Sequence, residues 1–252
     1  MKVTILGSGT STGVPEIGCT CPVCTSSDKR DARTRTSAIV ETESARILLD
    51  CGPDFRTQML PLPFARIDGV LISHEHYDHV GGLDDLRPFS RLGDIPIFAE
   101  PYTADHLSAR MPYCFVEHSY PGIPRISLHT IEPYVPFYIK EQKVIPLRVL
   151  HGKLPILGYR IDRLVYITDM SSCPEETWPF LKEVDTLIVN ALRFTTHPTH
   201  QSISEAIDFA RKVGARVTYF IHMSHQAGLH AETDRNLPEG MHLAYDGMQI
   251  EL

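Results

Sequence analysis

No run of about 18 consecutive apolar residues occurs in the 252-residue chain, which excludes a membrane-spanning helix and a membrane partner of that kind. The opening Met1-Lys2-Val3-Thr4-Ile5-Leu6-Gly7 also lacks the apolar stretch of a signal peptide, so the expected location is the cytoplasm. Lys and Arg form no run, and 24 basic against 31 acidic residues give a net charge of −7. Without a basic surplus there is little counterion release to drive binding to a polyanion, and nucleic acid is not an expected partner. Low-complexity tracts, repeats and linkers are missing too, and a chain of this length folds readily around one core, so residues 1–252 are expected to form a single domain. The expected location also bears on the six cysteines. In a reducing compartment they are thiols or metal ligands, and three of them are clustered.

What is present is a set of five short apolar runs, each ended by a carboxylate or an imidazole. Arg46-Ile47-Leu48-Leu49 precedes Asp50, and Gly69-Val70-Leu71-Ile72-Ser73 precedes His74. Ile145 to Leu150 precedes His151, Leu164 to Thr168 precedes Asp169, and Val217 to Ile221 precedes His222. Their length and their β-branched and aromatic content predict buried strands whose polar terminators line one edge of the sheets. Helices fill the intervals. Ser202-Ile203-Ser204-Glu205 is a capping box, followed by Ile203, Ala206, Ile207, Ala210 and Val213 at helical spacing and stopped by Gly214. A second helix is expected from Pro174, shortened or kinked at Pro179. Residues 94–138, rich in Pro and Tyr, give only weak signals. The class is α/β.

His74-Glu75-His76-Tyr77-Asp78-His79 places four potential ligands within six residues, directly after one of these strands. In an extended loop His74 and His76 point the same way, and a turn into a helix brings Asp78 and His79 to a second point a few Å off. Imidazole and carboxylate together suit Zn, Mn or Fe.

This string matches the H-x-H-x-D-H signature of the metallo-β-lactamase superfamily, which the chain resembles over nearly its whole length. The resemblance implies a four-layered αβ/βα sandwich. It further implies that His74, His76 and His151 hold one metal, that Asp78, His79 and His222 hold another, and that Asp169 bridges them. A water between two such ions would be acidified to attack an electrophile in line with its leaving group. Asp50 corresponds to an aspartate that supports the loop by hydrogen bonding.

The opening Gly7-Ser8-Gly9-Thr10-Ser11-Thr12-Gly13-Val14-Pro15 and Cys19-Thr20-Cys21-Pro22-Val23-Cys24 narrow the resemblance to the cyclic phosphodiesterases of the carbon–phosphorus lyase pathway, which act on phosphoribosyl 1,2-cyclic phosphate. That branch carries a structural zinc, here implied on Cys19, Cys21, Cys24 and His225, with His230 as the alternative fourth ligand. It also implies a catalytic role for His200, beside the capped helix, as proton donor to the leaving oxygen, together with Asp78 at the metals. Arg193, His197, Arg33 and Arg35 are weaker candidates to face an anionic substrate. The glycines at 7, 9 and 13 resemble a phosphate cradle, but no helix follows them, so a turn at the rim of the site is expected instead of a nucleotide fold. The resemblance therefore points to a phosphodiesterase for a small cyclic or diester phosphate, with two divalent ions (Mn or Zn) in the site, one structural zinc, and a homodimer as the assembly. Two alternatives stay open. One is an RNA-processing endonuclease like the tRNA 3′-processing enzyme. The other is a non-catalytic metal-binding accessory protein like the one of the pyrroloquinoline quinone pathway, which shares the Asp50 to Asp54 turn.

Overall fold

Strand and helix periodicity place the site at one edge of two facing sheets. The computed structural model describes residues 1–115 and 122–252. Among them the first sheet holds seven strands: β1 (Lys2–Gly7), β2 (Ser37–Glu41), β3 (Arg46–Leu49), β4 (Gly69–Leu71), β5 (Ile95–Ala99), β6 (Ile126–Thr130) and β14 (Gln249–Glu251), in the order β14-β1-β2-β3-β4-β5-β6. The second holds β7 (Phe137–Ile139), β8 (Gln142–His151), β9 (Leu154–Ile161), β10 (Leu164–Ile167), β11 (Thr186–Asn190), β12 (Val217–Ile221) and β13 (Met241–Leu243), in the order β13-β12-β11-β10-β9-β8-β7. All five predicted runs are strands.

The two sheets bury their inner faces against each other through Val3, Ile5, Val40, Ile47 and Leu49 on one side and Val144, Leu157, Tyr159, Tyr166, Ile188 and Ile221 on the other. On the outer face of the first sheet, Leu48, Val70 and Ile97 pack under Phe55 and Met59 of α1 (Phe55–Met59) and Leu107 of α3 (Pro101–Arg110). On the outer face of the second, Val165, Leu187, Val189 and Phe220 meet Ile203, Ala206, Phe209 and Ala210 of α4 (Ile203–Val213). Each Val, Leu, Ile, Met or Phe among them contributes roughly 1.5–3 kcal/mol when fully buried. This is the four-layered sandwich that the resemblance implies.

β3 through β6 run parallel, as do β10 through β13. β8 is antiparallel to β9, and β9 to β10, so β8 shares the direction of β10. Carboxyl ends of strands from both sheets therefore open onto one edge, where α/β folds gather ligands.

Ser202 caps α4 as expected: the Glu205 backbone N–H donates to Ser202 Oγ at 3.3 Å, the Ser202 N–H donates to Glu205 Oε2 at 2.8 Å, and Gly214 ends the helix at φ 73°. The helix expected from Pro174 is not an α-helix but a 3-10 segment over Glu175–Leu181. Pro179 has no N–H to give an i→i−4 ladder, and this short stretch keeps the tighter winding. The weakly signalled stretch contains β5, α3 and β6; its residues 116–121 lie outside the described residues. No helix among the described residues is long and apolar enough to cross a membrane.

Candidate metal centre

Strand ends deliver the site, and three of them do so through the same backbone turn. Asp50 (φ 55°) and His222 (φ 55°), immediately after β3 and β12, and Asp169 (φ 56°), two residues past the end of β10, all sit in the left-handed region. Outside glycine such a conformation costs on the order of 1–3 kcal/mol and persists only where the surroundings enforce it. The hexapeptide follows β4: His76 is extended, and Tyr77–Val80 forms a one-turn helix, α2, that swings Asp78 and His79 onto a second point.

The structure brings all seven predicted ligands together. The ligand atoms of His74, His76 and His151 lie within 4.8 Å of one another, as do those of Asp78, His79, Asp169 and His222. Ring centroids close a circle of imidazoles: His76 to His74 4.5 Å, His74 to His79 4.3 Å, His79 to His222 5.7 Å, His222 to His200 4.9 Å, His200 to His151 4.6 Å and His151 to His76 5.3 Å. His79 Nε2 stands 3.1 Å from both Asp78 Oδ2 and Asp169 Oδ2, and His222 Nε2 stands 3.1 Å from Asp169 Oδ1.

In His74, His79 and His151 the other ring nitrogen is held from behind. His79 Nδ1 donates to Asp50 Oδ2 at 2.8 Å, and Asp50 accepts from the N–H and Oγ of Ser73, also at 2.8 Å. His74 Nδ1 donates to Ser73 Oγ at 3.0 Å, and His151 Nδ1 to the Thr199 carbonyl at 2.8 Å. These bonds fix the tautomers so that Nε2 faces inward. Asp50 thus has the supporting contacts expected of it.

A divalent pair fits this set. Nε2 of His74 is buried without a hydrogen-bond partner, a cost of roughly 1–3 kcal/mol unless something else is bound, and Nε2 of His79 and His222 has only the 3.1 Å carboxylate contacts, out of line for good hydrogen bonds. Burial disfavours the charged form of His79, yet Asp169, Asp78 and Asp50 outweigh it and hold the imidazole pKa well above its ordinary value. Burial likewise opposes ionisation of Asp78 and Asp169, but the neighbouring imidazoles, His79 and His222, keep both carboxyls well below theirs. The carboxylates therefore call for cationic charge at this point, and nitrogen with oxygen donors suits Zn, Mn or Fe.

A second cluster stands apart. Cys19, Cys21 and Cys24 surround His225 Nδ1 with Sγ at 3.1, 3.4 and 3.5 Å. The Cys24 N–H, aimed at Cys21 Sγ, is the main influence that brings the Cys21 pKa down to about 6, whereas burial pushes Cys24 up to about 11. Three thiols and one imidazole match a closed tetrahedral site. His230 does not join them: its N–H donates to Asp31 Oδ1 at 2.7 Å and its ring edge meets Tyr245. We expect Cys21→Ser to lose the zinc that survives mild chelation in the parent and to melt at lower temperature, since structural zinc contributes folding energy. Elemental analysis checks it, and parent-like zinc in the mutant would remove the cysteines from any metal site.

The arginines separate. Arg33 cannot face a substrate: its side chain is fully buried, donating to the carbonyls of Ser224 (2.8 Å) and Gly228 (2.9 Å) beside Asp31, and this corrects the expectation. Arg35 is partly exposed and paired with Asp54 at 3.0 Å. Arg193 folds its own loop, donating to the carbonyls of Thr195 and Thr196 and to Gln226 Oε1. His197 lies with its ring 5.1 Å from that of His200. The glycine turn does meet the site's frame, because Gly9 bridges both Arg35 and Met223, the residue after His222.

His200 is 11% exposed, with Nδ1 3.6 Å from Asp169 Oδ1 and no hydrogen bond. Burial first, and then His222, push its pKa down to about 3. Two residues escaped the sequence reading. Thr168 Oγ1 donates to Asp169 Oδ2 at 2.6 Å, and Asn190 holds Met170, the residue after Asp169. A signal for Asn190 was present: Thr186 to Val189 is one more apolar run with a polar terminator.

A model described as the beta-lactamase superfamily domain matches residues 45–223. The octanoyltransferase of Porphyromonas gingivalis is 45% identical over 251 residues, 99% of this chain and 51% of that protein. The chain spans about half the length of the curated relatives it matches. The crystal structure of a diphosphatase from the PhnP family superposes with a TM-score of 0.92 at 39% identity, covering 100% of this chain and 97% of that one. Zinc-bound PqqB from Methylobacterium extorquens has the same fold, with a TM-score of 0.81 at 20% identity over the full length of both chains.

Proposed function

This chain belongs to the β-lactamase superfamily, and from that premise we propose that it is a metal-dependent hydrolase that cleaves the phosphorus–oxygen bond of a small phosphate diester, cyclic or linear. The observation that carries the reading is the circle of imidazoles around Asp78 and Asp169, in which His200 alone lies outside both predicted ligand sets. The likeness to a PhnP-family diphosphatase over the whole chain supports phosphorus chemistry and makes a diphosphate linkage the neighbouring substrate class.

Divalent ions held by the two ligand groups would supply an acidified water and polarise the phosphoryl oxygens. The residues do the rest. Asp169 spans His79 and His222 and sets the spacing of the second group, and Thr168 and Asp50 fix the carboxylate and the imidazole respectively. His151 is aimed by the Thr199 carbonyl, which joins the His200 loop to the first group. His200 stands where a proton can pass to a departing oxygen.

A second reading has its own support. The Porphyromonas protein, an octanoyltransferase, contains a match to nearly all of this chain in about half its length, which favours an acyl ester or thioester as the bond cleaved. A panel of cyclic and linear phosphodiesters, a nucleoside diphosphate derivative and an octanoyl thioester, assayed with Mn, Zn and Ni, separates the two. We expect turnover of small phosphodiesters. Hydrolysis of the thioester alone would transfer the assignment, and no turnover by protein carrying its ions would favour the accessory role.

A further inference from the structure

The three left-handed residues at the strand ends share a second feature. The residue after each is wholly buried, and both its N–H and its carbonyl are held by another part of the chain. Cys51 donates to the His79 carbonyl (2.8 Å) and accepts from the Gly82 N–H (2.8 Å). Met223 donates to the Ser8 carbonyl (2.9 Å) and accepts from the Thr10 N–H (3.1 Å). At these two points the clamp is backbone. At the third it is a single side chain: the Met170 N–H donates to Asn190 Oδ1 at 2.8 Å, and Asn190 Nδ2 donates to the Met170 carbonyl at 2.9 Å. The same carbonyl accepts from the N–H of Gln201, next to His200, at 3.0 Å.

We propose that Asn190 is a positioning residue for the metal centre, enforcing through Met170 the left-handed turn that aims the Asp169 carboxylate between His79 and His222, and anchoring the loop that carries His200. Asn190 is fully buried at the end of β11, and its amide reproduces the paired donor and acceptor of a neighbouring strand where no strand is available. Only an amide matches both bonds. An aspartate accepts from the Met170 N–H but sets an oxygen against the Met170 carbonyl, a serine serves one bond, and an alanine serves neither.

The inference rests on the metal reading, and the test keeps the two apart. Chelator-stripped parent, N190S, N190A and N190D are titrated with Co(II), the visible absorption reports the coordination at each step, and the melting of each metal-free protein is recorded. The expected result is affinity in the order parent, N190S, N190A, with N190D no tighter than N190A, and a total loss of about 10- to 100-fold, the usual effect of a residue that orients a ligand. In an Asp169→Asn background, N190A should weaken Co(II) binding no further, because the route through the carboxylate is already cut. A folded N190A or N190D with parental Co(II) affinity overturns the proposal, as does an undiminished effect in the Asp169→Asn background. Failure of all three variants to fold makes Asn190 a packing residue and overturns it equally. A parent that binds no Co(II) at the histidines overturns the metal reading itself, and this inference with it.

Discussion

Asp169→Asn is expected to abolish hydrolysis of every substrate the parent turns over, with a loss beyond the roughly 10- to 100-fold that follows from disturbing a supporting residue. The substitution changes charge and one donor pattern but little else. Asparagine has the size of aspartate and tolerates the left-handed backbone seen at φ 56°, so the turn after β10 and the clamp on Met170 survive. What is lost is specific. Asp169 Oδ1 faces His222 Nε2 and Oδ2 faces His79 Nε2, each at 3.1 Å, and one of these oxygens would become an amide that cannot ligate alongside the other. His76→Ala should act similarly on the first group, and because His76 is exposed the fold should not suffer. The check is to purify each variant, measure its metal content and circular dichroism, and assay it. Full activity in metal-analysed Asp169→Asn protein would sink the two-metal mechanism.

The parts of this site that could be read in advance are those whose chemistry is local. The hexapeptide from His74 to His79 carries four ligands on one strand end and one helical turn, and the runs before Asp50, His151, Asp169 and His222 mark strands by composition alone. The capping box at Ser202 is equally local. Arg33 could not be placed from the sequence because the carbonyls that accept from it belong to Ser224 and Gly228, more than 190 positions away, and only they take its side chain into the interior. Asn190 escaped for the same reason. An asparagine after a strand resembles any turn, and its bonds to Met170 exist only once β10 and β11 lie in parallel register. Left-handed turns at Asp50, Asp169 and His222 leave no compositional trace, since none of the three is glycine. Near Pro174, two prolines five residues apart were legible as a constraint, but not as a choice of 3-10 winding.

His200→Ala should slow turnover of an alkyl or ribosyl diester by roughly 10² to 10⁴, the usual worth of general acid catalysis, and have a much smaller effect on a p-nitrophenyl ester. Attack on phosphorus needs a nucleophile, but an alkoxide is a poor leaving group and departs only as it is protonated. His200 is placed for that task. Its ring stacks on His222 and lies 4.6 Å from His151, so it borders both ligand groups, and Gln201 ties its loop to Met170. In the free site burial keeps the ring neutral, with its pKa pushed down to about 3. For the ring to donate a proton, the negative charge of a bound diester has to outweigh both that burial and the cationic charge of the ions beside it. A nitrophenolate leaves without help, which is why the two substrates separate proton donation from other roles. Metal content should be unchanged in the variant. If it falls, His200 is a ligand, in keeping with its place beside His151 and Asp169. Equal losses on both substrates with full metal content would assign it to holding phosphate or the loop, and no loss on either would remove it from the chemistry.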